Sequence, residues 1–338
     1  MIVMKADASE RDLELVLRRI ESLGFRAHLS RGIERTVVGV VGDERQYEAE
    51  VFEELAGVER VVRILHPYKL ASRDFQPADR IITLANGAQL GGPDVLVMAG
   101  PCAVESEDQL RQTAALVSEA GVRVLRGGAF KPRTSPYSFQ GLGIEGLRLL
   151  RRIADEHKMA VITEVVTPED VPVVAEHADM LQIGARNMAN YALLRVAGGA
   201  GRPVLLKRGL GSTVDELLQA AEYLLANGNL DVAVCERGIR TFETSTRFTL
   251  DINAVPVLKS LTHLPVVVDP SHAMGRRDLV PAIARAAIAC GADGLLVEVH
   301  PDPASALSDG PQSLDPEGFA AMMTSLRRVA GAVDRSVA

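Results

Sequence analysis

The 338-residue sequence has no tryptophan, few other aromatic residues and only three cysteines. The cysteines, Cys102, Cys235 and Cys290, are far apart and odd in number, which argues against a disulfide framework and fits a reducing compartment. No apolar run approaches the roughly 18 residues that a membrane-spanning helix needs. Charges enter the N-terminal segment "MIVMKADASERD" too early for the apolar core of a signal peptide. We therefore expect a cytoplasmic protein that does not enter a membrane.

The sequence also has no excess of positive charge. The chain has 37 lysines and arginines against 44 aspartates and glutamates, which gives a net charge of −7. Because nucleic-acid-binding proteins usually carry a basic balance, we expect no nucleic-acid partner. The length suits one large domain, or a barrel of about 250 residues with a small companion.

Residues 1–65 predict a small α/β unit of their own. The strand "MIVMK" is followed by a helix whose first turn carries a capping box of Ser9 and Asp12. The segments "FRAHLS" and "TVVGVVG" predict two further strands, and "VERVVRIL" predicts the last. A second helix lies before that last strand, with an apolar stripe of Tyr47, Val51 and Leu55. The order βαββαβ is typical of the ferredoxin-like fold.

The remainder of the chain alternates strictly between strand and helix. Residues 66–79, with two prolines and mixed charge, predict a linker, and 80–338 predict the second domain. The strand candidates are 95–100, 122–127, 160–165, 180–184, 203–209, 232–238, 265–272 and 294–300. Eight apolar strands alternating with helices favour a (β/α)₈ TIM barrel. A doubly wound open sheet is the alternative, but it rarely needs eight units. Residues 80–92 predict a hairpin at the barrel floor.

Charged residues recur where these strands end, at the end of a barrel that carries the active site. The series is Cys102, Arg126 with Lys131, Glu164, Arg186, Lys207 with Arg208, Glu236 with Arg237, Asp269 with His272, and Glu298 with His300. Each one alone has a structural explanation, as a solvated cation or a buried core cysteine. Because all of them converge on one end of the barrel, which we call the mouth, we predict that the mouth is the functional site.

The segment "RGGAFKPRTSPYSFQG" follows the second barrel strand and cannot be helical, because Pro132 and Pro136 lack backbone donors. It adds to a set of six cations at the mouth, which are Arg126, Lys131, Arg133, Arg186, Lys207 and Arg237. Such a set in an acidic protein indicates a small anionic substrate with more than one phosphate. The segment then predicts a rigid phosphate-binding loop.

A second group at the mouth predicts a metal site. It consists of Cys102, His272, Glu298 and Asp309. A thiolate, an imidazole and two carboxylates suit a divalent ion such as Mn²⁺, Fe²⁺, Co²⁺ or Zn²⁺. Their spacing contains no CxxC or HExxH motif, so a buried thiol beside a structural His–Glu pair is the alternative.

Long motifs in the sequence resemble 3-deoxy-D-arabino-heptulosonate 7-phosphate (DAHP) synthases of the type I β class. They are "AGPCAVES", "LRGGAFKPRTSPYSFQGLG", "QIGARNMANYALL", "PVLLKRG", "CERGIRTFE", "VVDPSHAMGRRDLV" and "EVHPDPASALSDGPQSL". The N-terminal "HLSRGIERTVVGVVGDER" is similar to the ferredoxin-like regulatory domain of some members. The resemblance covers essentially the whole chain.

The resemblance implies a condensation of phosphoenolpyruvate with erythrose 4-phosphate to DAHP and phosphate, the first step of the shikimate pathway. It assigns the metal to Cys102, His272, Glu298 and Asp309. It assigns phosphoenolpyruvate to Arg126, Lys131, Arg186, Lys207 and Arg237, and the aldose phosphate to Lys131, Pro132, Arg133, Thr134 and Ser135. The group that transfers protons stays open between Lys131, Glu164 and a metal-bound water.

The resemblance also implies regulation and assembly. In similar enzymes the N-terminal domain binds phenylalanine or tyrosine and pairs with its counterpart on another subunit, so we expect feedback inhibition and a homo-oligomer, a tetramer by resemblance. His28 and Ser30 in "HLS" are the candidates for contact with the effector, and residues 66–79 are the candidate hinge. A purely structural role of residues 1–65 is the alternative.

Three other functions compete with this one. An octulosonate 8-phosphate synthase would use arabinose 5-phosphate, but those enzymes carry Ala-Asn after the lysine where this chain has "KPRTS". A Schiff-base aldolase would use Lys207 in an apolar pocket, whereas Lys207 lies among cations. A non-catalytic barrel that binds sugar phosphates would explain the cations but not the predicted metal set.

Overall fold

A computed structural model of the chain describes residues 1–31, 36–41, 50–62, 67–131 and 137–338. These residues form two compact units, 1–78 and 79–338. No helix in these ranges is long and apolar enough to cross a membrane.

The N-terminal unit is an antiparallel sheet with helices. Its elements are β1 (Ile2–Met4), α1 (Glu10–Ser22), β2 (Arg26–Arg31), β3 (Thr36–Val41), α2 (Glu50–Glu53) and β4 (Val58–Val61). The strand order is β2-β3-β1-β4, as the ferredoxin-like prediction requires, and this prediction is confirmed. The capping box of Ser9 and Asp12 begins α1, whose Val16 and Ile20 are fully buried. Tyr47, predicted on the second helix, lies outside the described residues.

The two candidate effector residues lie on β2, at an edge of this sheet. His28 pairs with Gly39 of β3, and Ser30 pairs with Val37. Because side chains alternate along a strand, His28 and Ser30 face the same side of the sheet. Both are half-buried. Burial and the nearby Arg26 lower the pKa of His28, so its imidazole is neutral at neutral pH.

The segment predicted as a linker packs closely in its described part. Tyr68 and Leu70 are fully buried, and Phe75 is nearly so. Gly39 leaves room for the ring of Phe75, because a Cβ there would come within 2.9 Å of it and within 3.3 Å of Leu70. Residues 67–78 therefore belong to the N-terminal unit as a packed segment.

The second unit is a closed barrel of eight parallel strands. The strands are β7 (Leu96–Gly100), β8 (Val124–Arg126), β9 (Ala160–Val165), β10 (Met180–Ile183), β11 (Val204–Lys207), β12 (Val232–Glu236), β13 (Val266–Val268) and β14 (Gly294–Glu298). Each strand pairs with the next, and β14 closes the barrel on β7. The predicted (β/α)₈ barrel is confirmed.

Helices alternate with the barrel strands and cover the outside of the sheet. They are α3 (Glu107–Glu119), α4 (Gly143–Glu156), α5 (Val171–His177), α6 (Tyr191–Gly198), α7 (Val214–Ala226), α8 (Ala254–Leu261), α9 (Pro270–Met274), α10 (Val280–Ala289) and α11 (Pro316–Ala332). Short 3₁₀ turns lie at Pro168–Asp170, Ala185–Asn187 and Gly310–Gln312. Ser106 caps α3 and Thr213 caps α7 through their side-chain oxygens, which accept from the third backbone N–H of each helix.

A hairpin closes the floor of the barrel, opposite the mouth. Its strands are β5 (Ile82–Thr83) and β6 (Gln89–Leu90). Leu84 and Leu90 belong to one apolar core cluster with Leu96, Val124 and other inward-facing strand residues. The floor is thus filled with apolar side chains, which leaves the mouth as the end where polar groups converge.

Candidate active site

A cavity of about 320 Å³ lies at the mouth of the barrel. Its cationic lining residues are Arg126, Lys131, Arg186, Lys207, Arg237 and Arg247. Glu164, His272 and Asp309 line the same cavity. The structure therefore brings two of the predicted metal residues, His272 and Asp309, to the same cavity as the predicted phosphate residues that it describes.

Four potential metal ligands face one another at one side of this cavity. They are Cys102 after β7, His272 on α9, Glu298 at the end of β14, and Asp309. One ligand atom from each lies within 4.8 Å of all the others. The strands that carry them are neighbours, because β14 pairs with both β13 and β7.

The Cys102 thiol is enclosed by polar groups. Its Sγ lies 3.1 Å from Ser308 Oγ and 3.4 Å from Asp309 Oδ2, and it accepts a 3.1 Å hydrogen bond from Lys131 Nζ. Burial, together with the charge of Glu298, raises the pKa of this thiol to about 11. A thiol in this environment ionises only when a cation compensates the charge.

A buried aspartate orients the His272 imidazole. Asp269 Oδ2 lies 2.7 Å from His272 Nδ1, and Asp269 Oδ1 accepts the His272 backbone N–H at 2.9 Å, capping α9. Burial lowers the pKa of His272, so the ring is neutral at neutral pH, with its Nδ1 proton donated to Asp269. The other ring nitrogen, Nε2, then presents its lone pair 3.4 Å from Glu298 Oε1 and 3.8 Å from Asp309 Oδ2.

This arrangement fits a divalent metal ion. A ligating histidine normally donates its second ring nitrogen to a carboxylate, as His272 does to Asp269. Ligating carboxylates are held by further hydrogen bonds, and Glu298 accepts from Arg126 Nη1 at 2.9 Å. The donor set of Cys102, His272, Glu298 and Asp309 could therefore hold such an ion, as the sequence predicted.

The cations of the cavity differ in how their charge is balanced. Lys207 donates to Asp269 at 2.5 Å, and Arg126 is paired with Glu298. Arg237 is 5% exposed, and no carboxylate among the described residues lies within ion-pair distance of it. Its guanidinium stacks on the Phe248 ring at 4.1 Å. Arg237 is therefore a buried positive charge that an anionic ligand would neutralise.

Glu164 faces the cavity from β9 on the side of Gln182. Its Oε2 accepts a weak 3.5 Å hydrogen bond from Gln182 Nε2. Gly184 makes room for the carboxylate, because a Cβ at that position would come 2.0 Å from Glu164 Oε1. A larger residue at position 184 would displace the Glu164 carboxylate from this position.

Comparison with known proteins agrees with this geometry. A family model described as the DAHP synthetase I family matches residues 79–332. The chain belongs to the DAHP synthetase I family. A second model, the DAHP synthase ferredoxin-like domain, matches residues 1–66.

Relatives support the same family. Phospho-2-dehydro-3-deoxyheptonate aldolase of Thermotoga maritima is 52% identical over 333 residues, which are 98% of each chain. The crystal structure of that enzyme, DAHP synthase, matches with a TM-score of 0.80 and covers 100% of this chain and 98% of its own. A truncated form of the Thermotoga maritima DAHP synthase matches 80% of this chain and 99% of its own at 49% identity, with a TM-score of 0.75.

More distant relatives carry the competing activity. A 2-dehydro-3-deoxyphosphooctonate aldolase of Acidithiobacillus ferrooxidans is 36% identical over 235 residues, which are 64% of this chain and 83% of its own. The prediction of an enzyme of the DAHP synthase type is confirmed by the family and by the 52% identical relative.

Not every charged residue at a strand end faces the cavity of this family member. Arg208 turns away from it and pairs with Glu236 at 2.8 Å and Asp251 at 2.9 Å. His300 lies beside Glu105, with its Nε2 3.4 Å from the carboxylate. Adjacent residues of a strand point in opposite directions, so Lys207 and Arg208 cannot both enter the barrel.

Sequence reasoning missed several residues of the cavity wall, among them Arg247 and Phe248. Both lie in the long loop between β12 and α8, far from any strand end. The aromatic residue directly after an arginine was the available signal, but it is too common to identify a site. Among the predicted substrate residues, Pro132, Arg133, Thr134 and Ser135 lie outside the described residues.

Proposed function

We propose that the chain catalyses the metal-dependent condensation of phosphoenolpyruvate with erythrose 4-phosphate, giving DAHP and inorganic phosphate. The observation that carries this proposal is that the cluster of four potential metal ligands, two of which line the cavity, lies beside Arg237, a buried cation with no carboxylate partner among the described residues. A metal ion alone would suit many hydrolases, and cations alone would suit any phosphate-binding barrel. Their combination suits a reaction that joins an aldehyde to an enol phosphate.

Phosphoenolpyruvate would occupy the cationic part of the cavity. The residues that would hold it are Arg126, Lys131, Arg186, Lys207 and Arg237. Arg237 would attract it more strongly than Arg126 and Lys207, because those two cations already share their charge with Glu298 and Asp269. Fixed donors of this kind bind the phosphate without reorganising when the reaction begins.

Cys102, His272, Glu298 and Asp309 would hold the divalent ion. When bound, such an ion supplies Lewis-acid activation of the aldehyde oxygen. Asp269 would keep His272 in the tautomer whose Nε2 faces the other ligands. Lys207 and Arg126, buried against the same carboxylates, would keep Asp269 and Glu298 ionised for this role.

The candidates for proton transfer on the chain are Lys131 and Glu164. Lys131 Nζ lies 3.0 Å from the Cys102 carbonyl oxygen and 3.1 Å from its Sγ, on the metal side of the cavity. Glu164 lies on β9, two strands from β7, near Gln182 and Gly184. The overall reaction adds water at C2 of the enol phosphate after C3 has attacked the aldehyde, so a base near the cations and an acid near the metal are both needed. Glu164 fits the first position and Lys131 the second.

Erythrose 4-phosphate would be positioned by Lys131, Pro132, Arg133, Thr134 and Ser135. Arg133 would bind the distal phosphate, and the prolines would fix the distance between that phosphate and the aldehyde. This loop would then select the shorter aldose over arabinose 5-phosphate.

We further propose that the N-terminal unit regulates the enzyme. All the cavity residues lie in 79–338, and residues 1–66 match a domain model named for DAHP synthases. Phenylalanine or tyrosine would bind in a homo-oligomer, a tetramer by resemblance, with His28 and Ser30 on the edge strand β2 as contacts. The effector would act by preferring an arrangement in which the cavity is closed.

The test is phosphate release from phosphoenolpyruvate with either aldose phosphate. We expect turnover with erythrose 4-phosphate, none of comparable rate with arabinose 5-phosphate, and loss of turnover in EDTA that Mn²⁺ or Co²⁺ restores. Faster release with arabinose 5-phosphate would replace the proposal with the octulosonate activity. Full turnover after exhaustive chelation would contradict the metal site.

A further inference from the structure

Arg247 connects the cavity wall with the potential metal ligands. It lies in the loop 239–249, whose two ends pair with each other through backbone hydrogen bonds between Ile239 and Thr249. The loop docks on α9, the helix that carries His272. The backbone N–H of Arg247 donates to the carbonyl oxygen of Met274, and that of Phe248 donates to Ala273.

Close packing fixes the path of this loop. Gly275 has a left-handed backbone with φ of 68°, and a Cβ there would come 2.5 Å from the Cβ of Arg247. Gly238, with φ of 90°, leaves room in the same way for Phe248. Packing against α9, the helix that carries His272, therefore fixes the backbone position of Arg247.

The Arg247 guanidinium reaches two of the four candidate ligands. Its Nη1 donates to Asp309 Oδ1 at 3.1 Å and to Gln312 Oε1 at 2.7 Å. Gln312 in turn donates through Nε2 to Glu298 Oε2 at 2.5 Å. Arg247 thus contacts Asp309 directly and Glu298 through one amide, whose orientation follows from these two bonds.

Each carboxylate is held by its outer oxygen, and its other oxygen faces His272. Arg247 takes Asp309 Oδ1, and Oδ2 lies 3.8 Å from His272 Nε2. Gln312 donates to Glu298 Oε2, and Oε1, which also accepts from Arg126 Nη1, lies 3.4 Å from the same nitrogen. Asp309 needs such a hold, because it has a left-handed backbone with φ of 53° in a loop and its side chain is 23% exposed.

We propose that Arg247 is a positioning residue of the metal centre, which sets the orientation of Asp309 directly and that of Glu298 through Gln312. This inference rests on the proposed metal site. Arg247 would act on the ion's affinity before any substrate is present, which distinguishes this role from that of a further phosphate-binding cation.

The test measures Co²⁺ affinity of the full-length protein without substrates, by titration calorimetry and by the absorption of Co²⁺ bound to a thiolate. Arg247→Met keeps the aliphatic stem but removes both hydrogen bonds. We expect Co²⁺ to bind about 10- to 100-fold more weakly, the loss typical of removing such a partner. Arg247→Lys should fall between, because one ammonium cannot hold both acceptors in the same geometry.

Arg276→Met is the matched control. Arg276 is a nearby exposed arginine that pairs with Asp278 and contacts none of the four candidate ligands. Its loss should leave Co²⁺ affinity unchanged. Equal weakening in Arg247→Met and Arg276→Met would overturn the inference, because it would indicate a general loss of positive charge.

Gln312→Leu provides a second test of the inference if the Arg247→Met variant does not fold. It should weaken Co²⁺ binding through Glu298 alone, by less than Arg247→Met. If Arg247→Lys and Gln312→Leu both fold and bind Co²⁺ as the unaltered protein does, the inference is wrong while the metal site stands. If the unaltered protein binds no Co²⁺ at Cys102, the proposed metal site fails and this inference fails with it.

Discussion

The two ends of the barrel use the same kinds of charged residue under different conditions. Near the floor, Arg151 pairs with Asp155 and Asp179, each at 2.6 Å, and donates to the Met159 carbonyl oxygen. These side chains keep some contact with solvent, with Asp155 at 64%, Arg151 at 24% and Asp179 at 12% exposure. At the mouth, Arg126 pairs with Glu298 at 2.9 Å with both side chains at 5% exposure or less.

The difference in burial separates a stabilising role from a functional one. An exposed ion pair contributes about 0–1 kcal/mol to stability and is readily formed. A buried pair costs several kcal/mol in desolvation and is seldom more stable than an apolar pair of equal size. We therefore attribute the charges at the mouth to the binding of ligands, whereas those near the floor need no ligand to explain them.

Replacing one arginine at each end should give the largest contrast. Arg126→Met should lower kcat/KM by at least about 100-fold, because it removes a cavity cation and a partner of Glu298. Arg151→Met should leave kcat/KM within about twofold and lower the free energy of unfolding by about 1 kcal/mol. Steady-state kinetics and urea unfolding of both variants measure this. Similar kinetic losses for the two would remove the distinction between the ends.

The pH dependence of metal binding should also distinguish the mouth from the floor, because we expect only the mouth to bind a metal ion. It depends on the ionisation of Cys102. Binding as a thiolate releases the proton of a thiol whose pKa is about 11. The Kd for Co²⁺ should therefore fall about tenfold for each unit that the pH rises between 7 and 8. His272, whose pKa is lowered by burial, is already neutral there and adds no slope. Calorimetry at several pH values measures the slope, and Cys102→Ser should flatten it.

The support of Arg237 by Phe248 should have a smaller effect. Phe248→Leu removes the ring beneath the guanidinium but keeps an apolar side chain. We expect the KM for phosphoenolpyruvate to rise about three- to tenfold, in line with one cation–π contact, and kcat to change little. Tyr223→Leu, which changes an exposed aromatic residue on α7 away from the cavity, is the control. An unchanged KM in Phe248→Leu would show that Arg237 is held without the ring.

Removal of the N-terminal unit should have the smallest effect on catalysis. A chain that begins at Arg80 keeps every residue that lines the cavity. We expect kcat within about twofold of the full chain, because barrel active sites are built from the loops of the barrel itself. Inhibition by phenylalanine or tyrosine should disappear. An identical inhibition curve in the truncated and full chains would assign the unit a structural role.

Most of the fold could be predicted from the sequence because it depends on local pattern. The apolar runs that became β7 and β14 are long, and their spacing leaves room only for helices between them. The capping box at Ser9 likewise depends on residues three positions apart. Convergence of Cys102 with Glu298 followed from the barrel, since the ends of parallel strands meet at one edge.

The contacts that the sequence could not predict depend on long loops and on partners that are remote in the chain. Arg247 reaches Asp309 across 62 positions, and Arg80 reaches Asp231 across 151. Lys207 and Arg208 are adjacent and equally charged, yet only Lys207 lines the cavity. Which of the two faces the cavity depends on the strand register, and the number of charged residues at a strand end does not reveal that register.

The central claim is that one metal ion at the four-residue site supports the condensation. Its most direct test is a titration of chelator-treated, full-length protein with Mn²⁺, in which consumption of phosphoenolpyruvate in the presence of erythrose 4-phosphate is recorded after each addition. The rate should rise in proportion to added Mn²⁺ and level off at one ion per chain, and Cys102→Ala should show no rise at any ratio. A rate that is already full before the first addition, or a rise of the same size in Cys102→Ala, would contradict the claim.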